Sequence, residues 1–475
     1  LGQLPSSPKW QALEPNSFSD FGGELSTTNR TPLSISRQNQ KGVVTDLSVK
    51  GGFNIDFTQN NLNGLLEGLF FADTRKKAEL KVTAVTAHGF TVTGGTVVKQ
   101  NDIVKASGFK TSALNKNFTV QTGSTATSIE VGALTAGNET GLLQVVGHAF
   151  AQNDLKFTVN NGIYGLSTTT KNLTELNLIP GEWIFVGGDQ TNSQFATAGT
   201  FYARIDTISQ NKITFDNGTF KGSLQKDDGT GKSIQIYLGS VLKNENTADL
   251  IKRKSYCFER TLGKDLSEST SKSQAEYISG AVLGEFSLEV KQGEMLNADL
   301  SFTATNNEYV TGTLKSNRNL TPSLGESGIN TSSDIRSIRL SLVDSTKSTS
   351  TPLFAYVTEA SIEVNNNLSE NKALGTFGAI DVSAGNFEVT GKTTAYFTSV
   401  KAIEAVRKNA DVGLYALFAT KQKGFIFDIP LVGLSGGTLN VEKDNPITLE
   451  LEASGAENKF GYTMMYVNFP VLPKA

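Results

Sequence analysis

Two histidines and one cysteine are all that 475 residues offer for imidazole or thiol chemistry: His88, His148 and Cys257. His88 sits in Ala87-His88-Gly89, a turn, and is expected to be a solvated loop residue. His148 follows Gly147 at the end of an apolar strand and is expected to be structural. No histidine pair stands at helical spacing, so a zinc site of the usual kind cannot be assembled. Cys257 lies inside an alternating strand, where a buried, inert thiol is the expectation. Asp227-Asp228-Gly229-Thr230-Gly231 lacks the alternating ligands and terminal Glu of an EF-hand calcium loop, so a hydrated hairpin turn is expected. No Gly-x-Ser-x-Gly elbow surrounds a serine. Leu320 to Gly328 is rich in Gly and Ser but lacks the lysine and spacing of a phosphate loop. A carboxylate pair for glycoside hydrolysis is open on any strand surface, and no pair is singled out. The expectation is a non-enzyme with no catalytic residue, no cofactor and no metal ligand.

The elements that would have to position such groups are mostly strands. Hydrophobic residues make up 38% and charged residues 19%, with 46 glycines and much Thr, Ser and Asn. That mixture favours pleated surfaces and tight turns. Net charge is −3, which argues against a basic nucleic-acid-binding face. One cysteine excludes an intrachain disulfide, so burial and assembly must supply stability. There is no 18-residue apolar run for a membrane span, and no secretory leader is expected at the start.

Four parts separate by pattern. Residues 1–78 open with a Pro/Ser-rich segment, then Thr45 to Phe57 alternates around Gly51-Gly52 as a strand does. Thr58 is expected to cap a helix over 60–72, with Leu62, Leu65, Leu66, Leu69 and Phe70 as its apolar stripe. Residues 79–150 read as a small β-module of short strands, including Asp102 to Phe109, Asn117 to Val120 and Ser128 to Val131. Residues 151–244 repeat that plan about 80 residues on, through Gly181 to Gly188, Thr200 to Ala203 and Lys212 to Phe215, which points to a duplicated module. Trp183 and Phe185 alternate with Ile184 and Val186, so this strand is expected to be buried. Residues 245–475 return to longer alternating strands, with a second helix over 399–409 presenting Val400, Ile403 and Val406. Lys401, Arg407 and Lys408 fall on its polar side, and Lys252-Arg253-Lys254 reads as a solvated strand entry. Two polar stretches, 311–336 and 263–275, read as exposed arms.

The terminal blocks carry a family likeness. Glu14-Pro15-Asn16-Ser17-Phe18-Ser19-Asp20-Phe21-Gly22, Arg30-Thr31-Pro32, Ser36-Arg37-Gln38, Lys41-Gly42-Val43-Val44 and Gly51-Gly52-Phe53-Asn54 come first. Asn365-Asn366-Asn367-Leu368, Gly385-Asn386-Phe387-Glu388-Val389-Thr390-Gly391, Thr394-Ala395-Tyr396-Phe397, Phe427-Asp428-Ile429-Pro430 and Lys443-Asp444-Asn445-Pro446 follow. In this order they resemble the tail tube proteins of long-tailed bacteriophages, over roughly 10–75 and 250–475. The resemblance implies a mainly β fold: a sandwich domain with two short helices that forms a barrel with its neighbours. Here two small β-modules interrupt that domain, dividing the chain at 1–78, 79–150, 151–244 and 245–475. It further implies homo-hexameric rings stacked into a virion tail tube, assembled in the host cytoplasm. The partners would be the tape measure, distal tail and terminator proteins, with DNA passing down the lumen without specific binding and no membrane contact. A neutral or acidic lumen and outward-facing middle modules are expected. Two other classes stay open, a carbohydrate-binding or adhesive β-modular surface protein and a glycan-degrading enzyme. The first would show exposed aromatics and the second a carboxylate-lined groove.

Overall fold

The computed structural model describes all residues except 1, 5, 34, 36, 37, 94–97, 268–271, 317–319, 345, 421, 474 and 475. Ser36-Arg37 of the N-terminal block, and those parts of the 263–275 and 311–336 stretches, lie outside the described residues. Among the described residues the chain is mainly β with two short helices, and none of its sheets closes into a barrel.

A 15-stranded sheet holds most strands outside the middle of the chain. Its first half supplies β1 (Pro15–Thr28), β2 (Val43–Asp56), β3 (Tyr256–Lys264), β4 (Ser273–Lys291), β5 (Asn297–Ala304) and β6 (Asn306–Thr311). Its second half supplies β7 (Val357–Asn365), β8 (Glu388–Tyr396), β9 (Val412–Ala419), β10 (Gly424–Asn440), β11 (Thr448–Gly455) and β12 (Met465–Phe469). One continuous layer runs β1-β2-β5-β4-β7-β8-β11-β10. Strict alternation gives that layer an apolar back, whose Phe53, Phe286, Leu288, Leu300, Ile362 and Leu451 enter one large core. β4 and β10 are long enough to leave the layer. The first part of β4 pairs with β3 and β6, and the first part of β10 pairs with β9 and β12. The Gly51-Gly52 break is a packing requirement. A Cβ on Gly52 would sit 1.7 Å from the Leu300 carbonyl oxygen, and Gly51 has φ +111°.

The helices form where expected but are shorter. α1 spans Asn63–Phe70 and buries Leu65, Leu66, Leu69 and Phe70. Thr58 does not cap it: its Oγ1 is buried without a partner, and the helix starts after Leu62. Residues 59–61 serve tertiary bonds instead, with Gln59 Nε2 donating to the carbonyls of Gly424 (3.1 Å) and Phe469 (2.8 Å). α2 spans Lys401–Arg407. It turns Ala402 and Ala405 inward, with Ile403 and Val406 half-buried against the same core, and of the expected Val400/Ile403/Val406 stripe only Val400 is left exposed. Small side chains let this helix lie close against β10.

The strands between Glu79 and Leu238 form a separate 12-stranded sheet. Its two runs share a pairing plan. Strand 79–85 pairs 89–92, which pairs 128–130, while 102–107 pairs both 117–119 and 141–149. Likewise 156–160 pairs 163–167, which pairs 212–215, while 183–186 pairs both 201–208 and 235–238. That is the pattern a duplicated module gives. Two apolar clusters follow the runs, one over Leu80 to Leu143 and one over Phe150 to Leu238.

The chain leaves the 15-stranded sheet and returns to it at adjacent points. Arg75 and Val241 exchange backbone hydrogen bonds of 2.7 and 3.0 Å, and Lys252 N–H donates to the Phe71 carbonyl. Lys252-Arg253-Lys254 is solvent-exposed at Lys252 and Arg253 and is also tied down by ion pairs. Lys252 pairs with Asp73 at 2.6 Å, Lys254 with Asp73 at 3.0 Å and with Glu67, and Arg253 with Asp381 at 3.0 Å.

Candidate assembly surfaces

The solvent side of the β1-to-β10 layer is built from cross-strand polar rows. One row runs Asp56, Asn297, Glu289, Ser361, Lys392, Glu452 and Ser435. The next runs Asn54, Asp299, Ser287, Glu363, Thr390 and Ser454. A third carries Gly52, Ser301, Glu285, Asn365 and Glu388. Because side chains alternate along a strand, these rows are forced by the apolar back. Carboxylates dominate: Asp56, Glu285, Glu289, Asp299, Glu359, Glu363, Glu388, Glu450 and Glu452 face Lys50, Lys291 and Lys392. Two of the lysines are spoken for. Lys291 meets Glu289 at 2.6 Å and Lys392 meets Glu450 at 2.9 Å, and each carboxylate holds its lysine above the usual pKa. No histidine, cysteine or free guanidinium lies on these rows.

The residues singled out for chemistry scatter. His88 is exposed in its turn. His148 is buried, with Nδ1 2.9 Å from Asp102 Oδ1, joining neighbouring strands. Cys257 is half-buried against Ser279 Oγ at 3.5 Å, and burial pushes its thiol up. Asp227 is buried, not hydrated. It accepts from the backbone N–H of Thr197 (2.6 Å) and Gly229 (2.9 Å). Burial opposes its charge, but these donors outweigh it and hold the carboxyl below its usual range. Among the described residues no group of His, Cys, Asp and Glu is arranged to hold a metal ion. Trp183 and Phe185 are 1% and 2% exposed, which removes them as a sugar platform. The 311–336 stretch folds back on its own chain where it is described. Leu320-Thr321 pairs with Trp10-Gln11, and Glu326 accepts from Asn60 and binds Lys423 at 2.7 Å. The 263–275 stretch is the turn end of the β3–β4 hairpin.

Sequence reading missed a buried ionic seam between the middle of the chain and β10. Arg204 gives Nη1 to Asp428 Oδ1 at 2.7 Å and Nε to Asp216 Oδ2 at 2.8 Å. All three residues are at most 5% exposed. Burial works against the Arg204 charge, but Asp428 and Asp216 more than compensate and keep it protonated. For Asp428 burial is the larger influence and pushes the carboxyl up, against Arg204. Tyr462 donates to the Gly181 carbonyl at 3.1 Å, and Lys77 meets the buried Glu182 at 2.8 Å. Around these groups Ile103, Val146, Trp183, Phe185 and Tyr237 share an apolar cluster with Tyr415, Leu417, Ile426, Met465 and Phe469. No local signal marks the joint to β10, since Arg204 and Asp428 are 224 residues apart in sequence and Gly181 and Tyr462 are 281 apart.

A family model described as phage tail tube protein matches residues 2–455. No curated protein matches the chain.

Proposed function

We propose that this chain, which belongs to the phage tail tube protein family and so is a structural component of the virion tail, closes with copies of itself into rings that stack into a tube, with the carboxylate-rich rows of the β1-to-β10 layer facing the lumen. Other tail proteins meet the ends of that tube, namely the tape measure, distal tail and terminator proteins, and assembly takes place in the host cytoplasm. Residues 79–150 and 151–244 stand as two modules inserted into a wall made by 1–78 and 245–475, on its outer side.

One observation carries the reading: a wide sheet has a packed apolar back and a polar front dominated by carboxylates. DNA gripped by lysines and arginines releases counterions and binds tightly. A face that presents mostly carboxylates repels the phosphates and lets the duplex slide. The apolar back is already filled by α1, α2 and the strands β3, β9 and β12, which leaves the polar front free to line the lumen.

Electron microscopy of the purified chain should show rings or tubes, and dispersed single particles within intact tails would refute the proposal. The triple variant Glu285→Lys/Glu363→Lys/Glu388→Lys changes only solvent-facing positions, so its stability should move by about 0.5 kcal/mol or less per site. Tails should still assemble while DNA ejection slows, most strongly at low salt. Ejection at the unchanged rate would remove the lumen from this face.

A further inference from the structure

The wall is itself a tandem repeat. In chain order β1, β2, α1, β3, β4, β5 and β6 correspond to β7, β8, α2, β9, β10, β11 and β12. The correspondence holds pair by pair. Asp56 faces Asn297 and Lys50 faces Thr303, while Tyr396 faces Thr448 and Thr390 faces Ser454. Shifts of 340 residues (56 to 396) and 151 residues (297 to 448) turn the first set into the second. The same shift of 151 on both strands carries Leu288 opposite Ala298 into Leu439 opposite Leu449. In the outer layer Phe258 opposite Ile278 becomes Leu414 opposite Ile429, and Tyr277 opposite Glu308 becomes Asp428 opposite Met465. Even a bulge recurs. Pro15 faces Ile55 but Ser17 faces Asn54, and Val357 faces Ala395 but Glu359 faces Thr394. Register is set independently at every strand pair; each pair agrees over part of its length, although the bulge of β4–β5 lies between 283 and 285 and that of β10–β11 between 436 and 439, and such agreement marks two copies of one unit.

Within the chain the two units join edge to edge. β4 of the first pairs antiparallel with β7 of the second, setting Glu289 opposite Ser361, Val290 opposite Ala360 and Lys291 opposite Glu359. Each unit also leaves one edge without a partner. Among the described residues β1 pairs with β2 alone, and the 433–440 part of β10 pairs with β11 alone. These are the counterparts of β7 and of the end of β4. Open edges of this length invite strand addition.

We propose that β10 of one copy pairs antiparallel with β1 of the next, in the register of the internal β4–β7 joint. The occupant of each open edge is a second copy of this chain, a reading that rests on the tube function proposed above. Shifting the internal joint gives the contact directly: Asn440 opposite Ser19, Val441 opposite Phe18 and Glu442 opposite Ser17. Exposure supports this register. At the internal joint Val290 and Leu288 are 5% and 0% exposed, whereas Val441, Leu439 and Phe18 are 66%, 38% and 48% exposed. The joint covers three of the large apolar side chains that the isolated chain leaves in water.

A ring then counts units, not chains. Six units need three chains, whose layers supply 24 strands in all, eight per chain. Strands about 4.8 Å apart and tilted by about 40° give roughly 48 Å between opposite backbones. Six chains would open this to roughly 96 Å, far wider than one duplex requires.

The test uses assembled tails carrying Phe18→Cys/Val441→Cys with Cys257→Ser. Cross-strand positions bring Cα atoms to about 4.5–5.5 Å, within disulfide reach. Oxidation should give covalent species ending at the trimer, and either cysteine alone should give monomer. Symmetry of unmodified tails, imaged in parallel, gives an answer even if the variant assembles poorly. Threefold rings with pseudo-sixfold walls are expected. Six chains per ring, or rings joined through other strands, would overturn this inference and leave the tube function standing. A tail tube made without this chain would overturn the function itself.

Discussion

The stretches 79–150 and 151–244 share a strand-pairing plan, yet they meet the wall on different terms. The first keeps its core to itself and adds Ile103 and Val146 to the shared cluster, with Lys105 Nζ reaching the Pro470 carbonyl at 3.2 Å. The second adds Trp183, Phe185 and Tyr237 and drives Arg204 into the wall beside Asp428. Burying a charge is costly unless it is paired and hydrogen-bonded. A buried guanidinium therefore ties the wall to the second stretch in a way that apolar contact alone does not. The two stretches share a pairing plan, and only the second carries a buried charge into the other sheet.

The largest test of that difference is Arg204→Ala. It leaves Asp428 buried without its cation, while Asp216 keeps Lys459 at 2.8 Å, and breaking such a buried pair costs about 3–5 kcal/mol. The wall should lose stability along with the module, seen as a drop in the urea midpoint followed by tryptophan fluorescence from Trp183. Adding Asp428→Asn should return part of the loss by removing the stranded charge. A cost under about 1 kcal/mol would mean the seam is hydrated and does not tie the second stretch to the wall.

A smaller effect is expected at the neck where both stretches leave the wall. Glu67 accepts from Thr74 N–H at 3.0 Å and pairs with Lys254. Burial raises its pKa, but Lys254 and Thr74 outweigh this and the carboxyl is held below its usual range. A depressed carboxyl contributes stability above its unfolded pKa and loses it as pH falls through the folded value. Glu67→Gln should thus cost about 1–2 kcal/mol at neutral pH. The gap to the parent chain should close as the pH drops from roughly 5 to 3. Equal gaps at both ends of that range would show that Lys254 is not the partner that matters.

What the sequence made legible follows from which interactions are local. Alternation in segments such as Gly284 to Val290 exposes strands and their buried faces directly, and the scarcity of His and Cys is plain from the composition. The helices were visible through Leu62 to Phe70, but not their ends, because Gln59 and Asn60 are consumed by contacts with residues more than 250 positions away. The shared strand pattern in the middle of the chain shows because its strands follow one another at short range. The duplication of the wall does not. Its two units retain little more than Asp56-Phe57-Thr58 against Tyr396-Phe397-Thr398, and the inserted stretches separate α1 from β3. Backbone register kept what side-chain identity lost. Lys252-Arg253-Lys254 reads as a solvated run for a similar reason: Glu67 and Asp73 are nearly 180 residues earlier in the chain.

The smallest effect on the wall should come from the first stretch. Phe90 is fully buried, with ring centroids 5.5 Å from those of Phe109 and Phe118. Phe90→Ala removes a large side chain from a core with few other members and should cost that stretch about 3–5 kcal/mol. The damage has little route outward. Its cluster contains no wall residue, and the contacts that do reach the wall come from Val146 on strand 141–149, which also pairs beyond the stretch, and from Ile103 and Lys105 on strand 102–107, which pairs with 141–149. Strand 141–149 is held on its far side by strand 235–238, so it can keep its place when the Phe90 core loosens. Amide exchange should then quicken across 79–130 while β4, β7 and β10 exchange at the parent rate, because opening of one cooperative unit need not open its neighbour. Tubes of unchanged inner diameter are expected. Faster exchange in β10, or loss of tube assembly, would show that the first stretch braces the wall as firmly as the second and would erase the contrast between them.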